Sequence, residues 1–163
     1  KLEPYRLRRI TTFLNPTIDP LGIGYQINQA LLAIGSAGIW GYGYGFSKQK
    51  YNYLPEVMGD SIFAIIAEEL GFIRVSGIII LFLLFAIRGF YIAKNASDNF
   101  GKLLAIGITT AIVMQAAINI GAIIGLLPLT GVTLPFFSYG STSFIITMAE
   151  VGILLNISKK SSH

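Results

Sequence analysis

LLAIGITTAIVMQAAINIGAIIGL, residues 103–126, holds no Asp, Glu, Lys or Arg, and the uncharged run continues to Ala149, 47 positions in all. A helix rises about 1.5 Å per residue, so roughly 20 apolar residues cross a hydrocarbon core of about 30 Å. Lipid offers the backbone no hydrogen-bond partners, so a helix is the form such a run must take. The whole chain agrees with this stretch: 53% of its 163 residues are hydrophobic and 12% are charged, against a globular norm of about 25% charged. It reads as all-α, a polytopic integral membrane protein with about four transmembrane helices and a large extracytoplasmic loop holding a short helix.

The spans follow from the spacing of charge. Residues 22–40 are uncharged but broken by Gln26, Asn28 and Gln29, which predicts a short transmembrane or half-spanning helix. Residues 75–93 form the next span; only 13 of them precede Arg88, which is expected to snorkel with Phe90 and Tyr91 at the interface. Residues 102–126 and 143–157 complete the set, the last carrying Glu150. Gln115 and Asn119 lie one turn apart and predict interhelical hydrogen bonds, and the GxxxG of Gly121 and Gly125 predicts a helix-packing face.

Counting Lys and Arg on alternate sides of these spans gives nine against three, which places both ends of the segment in the cytoplasm. Residues 1–21 then form a cytoplasmic segment. Arg6, Arg8 and Arg9 are read there first as anchors of orientation and second as phosphate contacts. Residues 41–74 form the extracytoplasmic loop, including a helix over 60–71, with 127–142 on the same face. The net charge of +4 is thus a matter of topology, and no nucleic-acid partner is expected.

The composition also removes chemistries. There is no cysteine, and the one histidine is the terminal His163, so thiol nucleophiles, Cys-type zinc sites and an internal imidazole base are excluded. Carboxylates, hydroxyls, amides, Lys and Arg remain. They gather in GFSKQKYNYLPEVMGDSIFAIIAEELG, residues 45–71, where Glu56, Asp60, Glu68 and Glu69 make up half of the eight acids and follow Lys48 and Lys50. Acids beside hydrocarbon are costly and mark function. Asp60 is the candidate for chemistry; the plainer reading is a helix N-cap worth about 1 kcal/mol. Of Glu68 and Glu69, one is expected to face a polar cavity and the other the membrane surface.

The residues now assembled resemble the SEDS family (shape, elongation, division and sporulation proteins such as FtsW, RodA and SpoVE). The likeness runs through YRLRRITTFLNP, DPLGIGYQINQALLAIGS, GYGYGFSKQK, YLPE, Asp60 with SIFAIIAEELG, and GLLPLTGVTLPFFSYG. The wording from Ser47 to Glu56 is closest to the FtsW branch. Three strings depart from the family pattern: Met58-Gly59 stands where His-Thr is usual before the aspartate, Arg74 where glycine is usual, and SYGSTS replaces SYGGSS. Family members are longer, with about ten transmembrane helices, so this chain corresponds to the last four together with the large extracytoplasmic loop between the seventh and eighth.

What the resemblance implies is polymerisation of peptidoglycan strands from lipid II in a bacterial inner membrane, beside a class B penicillin-binding protein and membrane lipids. Asp60 matches the family's catalytic loop aspartate, a general base for inverting glycosyl transfer. Glu56, Lys50, Gln49, Ser47 and Lys48 are the expected substrate contacts. The diphosphate leaving group calls for a cation, from Lys, Arg or a divalent ion (Mg or Mn); no other cofactor is expected. Two other classes compete. One is a lipid II flippase using Glu68, Glu69 and Glu150; the other is a non-catalytic scaffold subunit docking through Gly121 and Gly125.

Overall fold

The computed structural model describes residues 9, 11–13, 22–46 and 59–161. Four helices are defined within them: α1 (Ile23–Ser36), α2 (Ile62–Lys94), α3 (Asn99–Ile123) and α4 (Ser141–Ser161). No strand occurs among the described residues. Helices α2, α3 and α4 are long and apolar enough to cross a membrane. Helix α1 has 14 residues, a rise of roughly 21 Å, and is shorter than a span.

Helix α2 is broken at Gly71, whose φ of 77° and ψ of 174° are not helical. Gly89 packs on Thr109 so closely that a Cβ there would overlap the threonine, and this contact sets α3 antiparallel to α2. Asn119 is thereby brought level with about residue 79. Asn119 nevertheless donates to the carbonyl of Asp60, at 2.9 Å, which an unbroken helix would carry roughly 28 Å away. The segment 62–70 has therefore folded back beside the span that begins at Phe72. Phe63, Ala67, Phe72 and Ile79 accordingly line one apolar cavity of about 190 Å³.

Helix α1 runs alongside the folded-back segment, with Gln26 against Ser61 at one end and Gly38 against Phe72 at the other. The second end is fastened by backbone alone. Tyr42 and Gly43 donate to the carbonyls of Glu68 and Glu69, and Phe72 and Ile73 donate to those of Gly38 and Ile39. Gly41 (φ 78°) and Gly71 meet there with no room for a Cβ on either. Only glycine combines left-handed φ with such close approach.

The ends of the spans obey local rules. Asp98 caps α3 by accepting from the Gly101 amide at 3.0 Å. At the other end Gly125 (φ 76°) closes a Schellman motif, with Leu126 donating to the Gly121 carbonyl and Gly125 to that of Ala122. Gly121 and Gly125 thus terminate α3 rather than forming a packing face, because Gly125 already lies beyond the helix. The following loop, 124–140, folds onto the bundle. Leu129 and Leu134 are buried with Ile27, Ala30, Phe63 and Ile123 in one core, and Phe136 sets its ring 6.3 Å from both Phe82 and Phe85. A second core around Ile92, Ala105, Ile108, Ile112 and Leu154 holds α2, α3 and α4 at the opposite end.

Candidate functional site around Asp60

Asp60 lies where α1, the start of α2, the end of α3 and the loop after it meet. Only 9% of its surface is exposed. It is not the N-cap that its sequence context suggested: Ser61 occupies that position, and no side chain caps the helix. The carboxylate instead turns toward α1, where Gln26 Nε2 donates to its Oδ1 at 3.3 Å and to Ser61 Oγ at 2.9 Å. Ser61 Oγ in turn stands 3.4 Å from Oδ1.

The main chain of the acid is held separately. Asn119, 2% exposed on the last turns of α3, donates to the carbonyls of Asp60 at 2.9 Å and Val132 at 2.7 Å. One turn earlier, Gln115 donates to the Thr133 carbonyl at 3.0 Å. Gln115 and Asn119 thus bind loop backbone rather than another helix: a loop packed against apolar helices needs donors that lipid cannot provide. The same loop places Gly131 (φ 72°) opposite the acid. A Cβ on Gly131 would stand 4.0 Å from Asp60 Oδ2 and 3.9 Å from Arg9 Nη2, so carboxylate and guanidinium converge over this glycine. Asn119, Ala122, Ile123 and residues 129–132 complete the crevice at Asp60.

The position of Arg9 corrects the sequence reading. That reading put residues 1–21 across the membrane from 127–142, yet Arg9 shares a site with Gly131 of that loop. The cause is α1, which starts beside Asp60 and ends at Gly71 without the length to carry its ends to opposite faces. Glu68 and Glu69 also differ from expectation. Neither reaches a membrane surface: they are 1% and 6% exposed, because their turn of α2 is enclosed by the fastening to residues 42–43. Neither they nor Glu150 lines the crevice at Asp60.

Of the residues expected from the sequence to bind or transform a substrate at this loop, Asp60 is in this site; Glu56, Lys50, Gln49, Ser47 and Lys48 lie outside the described residues. The structure adds Gln26, Ser61, Asn119 and Arg9. Among the described residues no three His, Cys, Asp or Glu side chains come together to hold a metal ion. Among the described residues Asp60 is the single carboxylate lining this crevice, and the Arg9 guanidinium reaches the same glycine. A protein-held Mg²⁺ site usually draws on one or two carboxylates together with substrate phosphates, and this donor set supplies the lower end of that range.

A buried carboxylate at the foot of a loop, carried by a helical bundle with three apolar helices, defines a membrane protein with an acid-centred site. The family model FTSW_RODA_SPOVE, described as "Cell cycle protein", matches residues 1–163, and the chain belongs to that family. It is 51% identical over 160 residues to stage V sporulation protein E of Bacillus subtilis (strain 168), covering 98% of this chain and 44% of that protein. It is 49% identical over 156 residues to "Probable peptidoglycan glycosyltransferase FtsW" of Geobacter metallireducens, covering 96% and 42%. Its fold matches a chain of a peptidoglycan synthase complex in which polymerization and crosslinking are coordinated, with a TM-score of 0.74 and 30% identity over 98% of this chain and 43% of that one. A mutant of the Thermus thermophilus rod shape determining protein RodA also matches, with a TM-score of 0.63 and 33% identity over 82% and 40%. The chain therefore spans less than half the length of these relatives.

Proposed function

We propose that this chain carries the base-bearing part of a membrane glycosyltransferase that polymerises peptidoglycan strands from lipid II, with Asp60 as general base. The observation that carries the reading is that a buried carboxylate and the Arg9 guanidinium approach the same point, a Cβ built on Gly131 standing 4.0 Å from Asp60 Oδ2 and 3.9 Å from Arg9 Nη2. The chemistry needs both. The acceptor sugar hydroxyl gives its proton to Asp60 Oδ2 as its oxygen bonds to the anomeric carbon of the donor. The anomeric C–O bond breaks from the opposite face, with inversion, and its electron pair leaves on the undecaprenyl diphosphate. The growing charge on the diphosphate calls for a cation, and the Arg9 guanidinium at the rim of this site is a candidate for binding it. Arg9 joins Lys48 and Lys50 as a candidate for that cationic role.

Orientation supports the same reading. Among the described residues, Arg88, Lys94, Lys102, Lys159 and Lys160 belong to the end of the bundle away from the site, and Arg9 and Arg74 to the site end. The positive-inside rule makes the first end cytoplasmic and Asp60 extracytoplasmic, where a glycan-strand polymerase must act. A class B penicillin-binding protein is the proposed partner, in line with the synthase complex named for the structural relative. The flippase reading loses ground because Glu68 and Glu69 are enclosed in the bundle.

Asp60→Asn in the full-length protein with its partner tests the base. Polymer formed from purified lipid II should fall at least about a hundredfold, the lower range for loss of a general base, with expression and partner binding retained. Wild-type polymerisation by this variant overturns the reading. Lipid II movement across vesicles without polymer would install the flippase in its place.

A further inference from the structure

The two oxygens of the Asp60 carboxylate have different surroundings. Oδ1 faces the Gln26 amide at 3.3 Å and the Ser61 hydroxyl at 3.4 Å, and Gln26 and Ser61 are joined at 2.9 Å. The three side chains close a ring: the amide donates to both other groups, and the hydroxyl receives from Gln26 and points its proton at Oδ1. Oδ2 lies toward Gly131 and Arg9. Asn119 fixes the main chain of Asp60, so side-chain rotation is the freedom left to the acid, and the ring removes it.

We infer that Gln26 and Ser61 are positioning residues, which hold Oδ1 and leave Oδ2 as the atom that takes the proton. The inference rests on Asp60 being the base. Gln26 sits in the first turns of α1 and Ser61 is the N-cap of α2, so two rigid elements aim the carboxylate. The distances to Oδ1 are at the long end for hydrogen bonds, and such bonds often tighten only in the complex with substrate. The ring therefore acts on the transition state more than on binding, and its loss should appear in kcat rather than KM.

The test is steady-state polymerisation of lipid II by the full-length protein with its partner. Gln26→Leu removes both donors at nearly constant volume and should lower kcat about tenfold, in the range for a hydrogen bond to a charged group, with KM within about twofold. Ser61→Ala should lower kcat by a smaller factor, and Ser61→Thr, which keeps the hydroxyl, should restore it. Since Gln26 and Ser61 act on one oxygen, the loss in the double variant Gln26→Leu/Ser61→Ala should differ from the product of the two single losses. Wild-type kcat in Gln26→Leu, a loss confined to KM, or equal losses in Ser61→Ala and Ser61→Thr would each overturn the inference. The serine pair keeps the test decisive should Gln26→Leu fold poorly. An inactive Asp60→Asn beside fully active Gln26 and Ser61 variants would sink the positioning role alone. A fully active Asp60→Asn would sink the base itself.

Discussion

Asn119 does more for the site than its place on an apolar helix suggests. Its Nδ2 donates to two carbonyls, those of Asp60 and Val132, and so ties the acid to the loop opposite it. Asn119→Leu would leave both carbonyls short of a buried donor, at a cost of about 2 kcal/mol. Thermal unfolding in detergent should show this as a lowered Tm, with polymerisation falling as Asp60 loses its register. Asn119→Asp should be worse, because a carboxylate accepts and cannot donate to a carbonyl. Unchanged Tm in both would remove the tie. The acid itself was legible from composition, as one of few carboxylates in an apolar chain. Its partners were not. Gln26 is 34 residues from Asp60, and no periodicity links an amide on one helix to an acid before another. Arg9 was misplaced for a related reason: the positive-inside rule counts charges by side and does not say what a charge touches.

At the scale of elements, glycine decides where the chain turns. Gly71 allows the start of α2 to fold back, and Gly41 fits against it so tightly that each excludes a Cβ on the other. Gly71→Ala must strain a left-handed backbone and also part the two chains, so it should cost more than the roughly 1 kcal/mol of an alanine at positive φ alone. Gly41→Ala should behave alike, and the pair should cost less than the sum because both break one contact. Additive losses in chemical or thermal unfolding would separate the two glycines. The end of the short helix at Gly71 was readable, since glycine after a helical run is a common stop. The direction in which the chain left it was not, because that depends on Gly41, 30 positions away. Gly125 shows the same limit: GxxxG suggested a packing face, whereas the backbone uses its second glycine to close α3.

At the scale of the whole molecule, three helices are long and apolar enough to cross a membrane, and the segment 22–40 contains the shorter α1. Hydropathy measures how apolar a segment is, and α1 is apolar because it is packed against the folded-back start of α2. Its length, not its composition, distinguishes the two. This changes where Arg9 lies relative to the loop after α3. With Arg9 beside Gly131, residue 11 belongs with the loop after α3, while Ser97 lies at the turn between α2 and α3 at the far end. The chain has no cysteine of its own, so single cysteines report position directly in a full-length background stripped of any other. Thr11→Cys and Tyr139→Cys, at exposed positions, should react with a membrane-impermeant maleimide added to intact spheroplasts. Ser97→Cys should react only after the membrane is opened. Thr11 reacting together with Ser97 would restore the cytoplasmic placement of residues 1–21 and separate Arg9 from Asp60. Labelling of Thr11 with Tyr139 keeps Asp60 and the Arg9 guanidinium in one compartment, as the proposed transfer to an extracytoplasmic glycan requires.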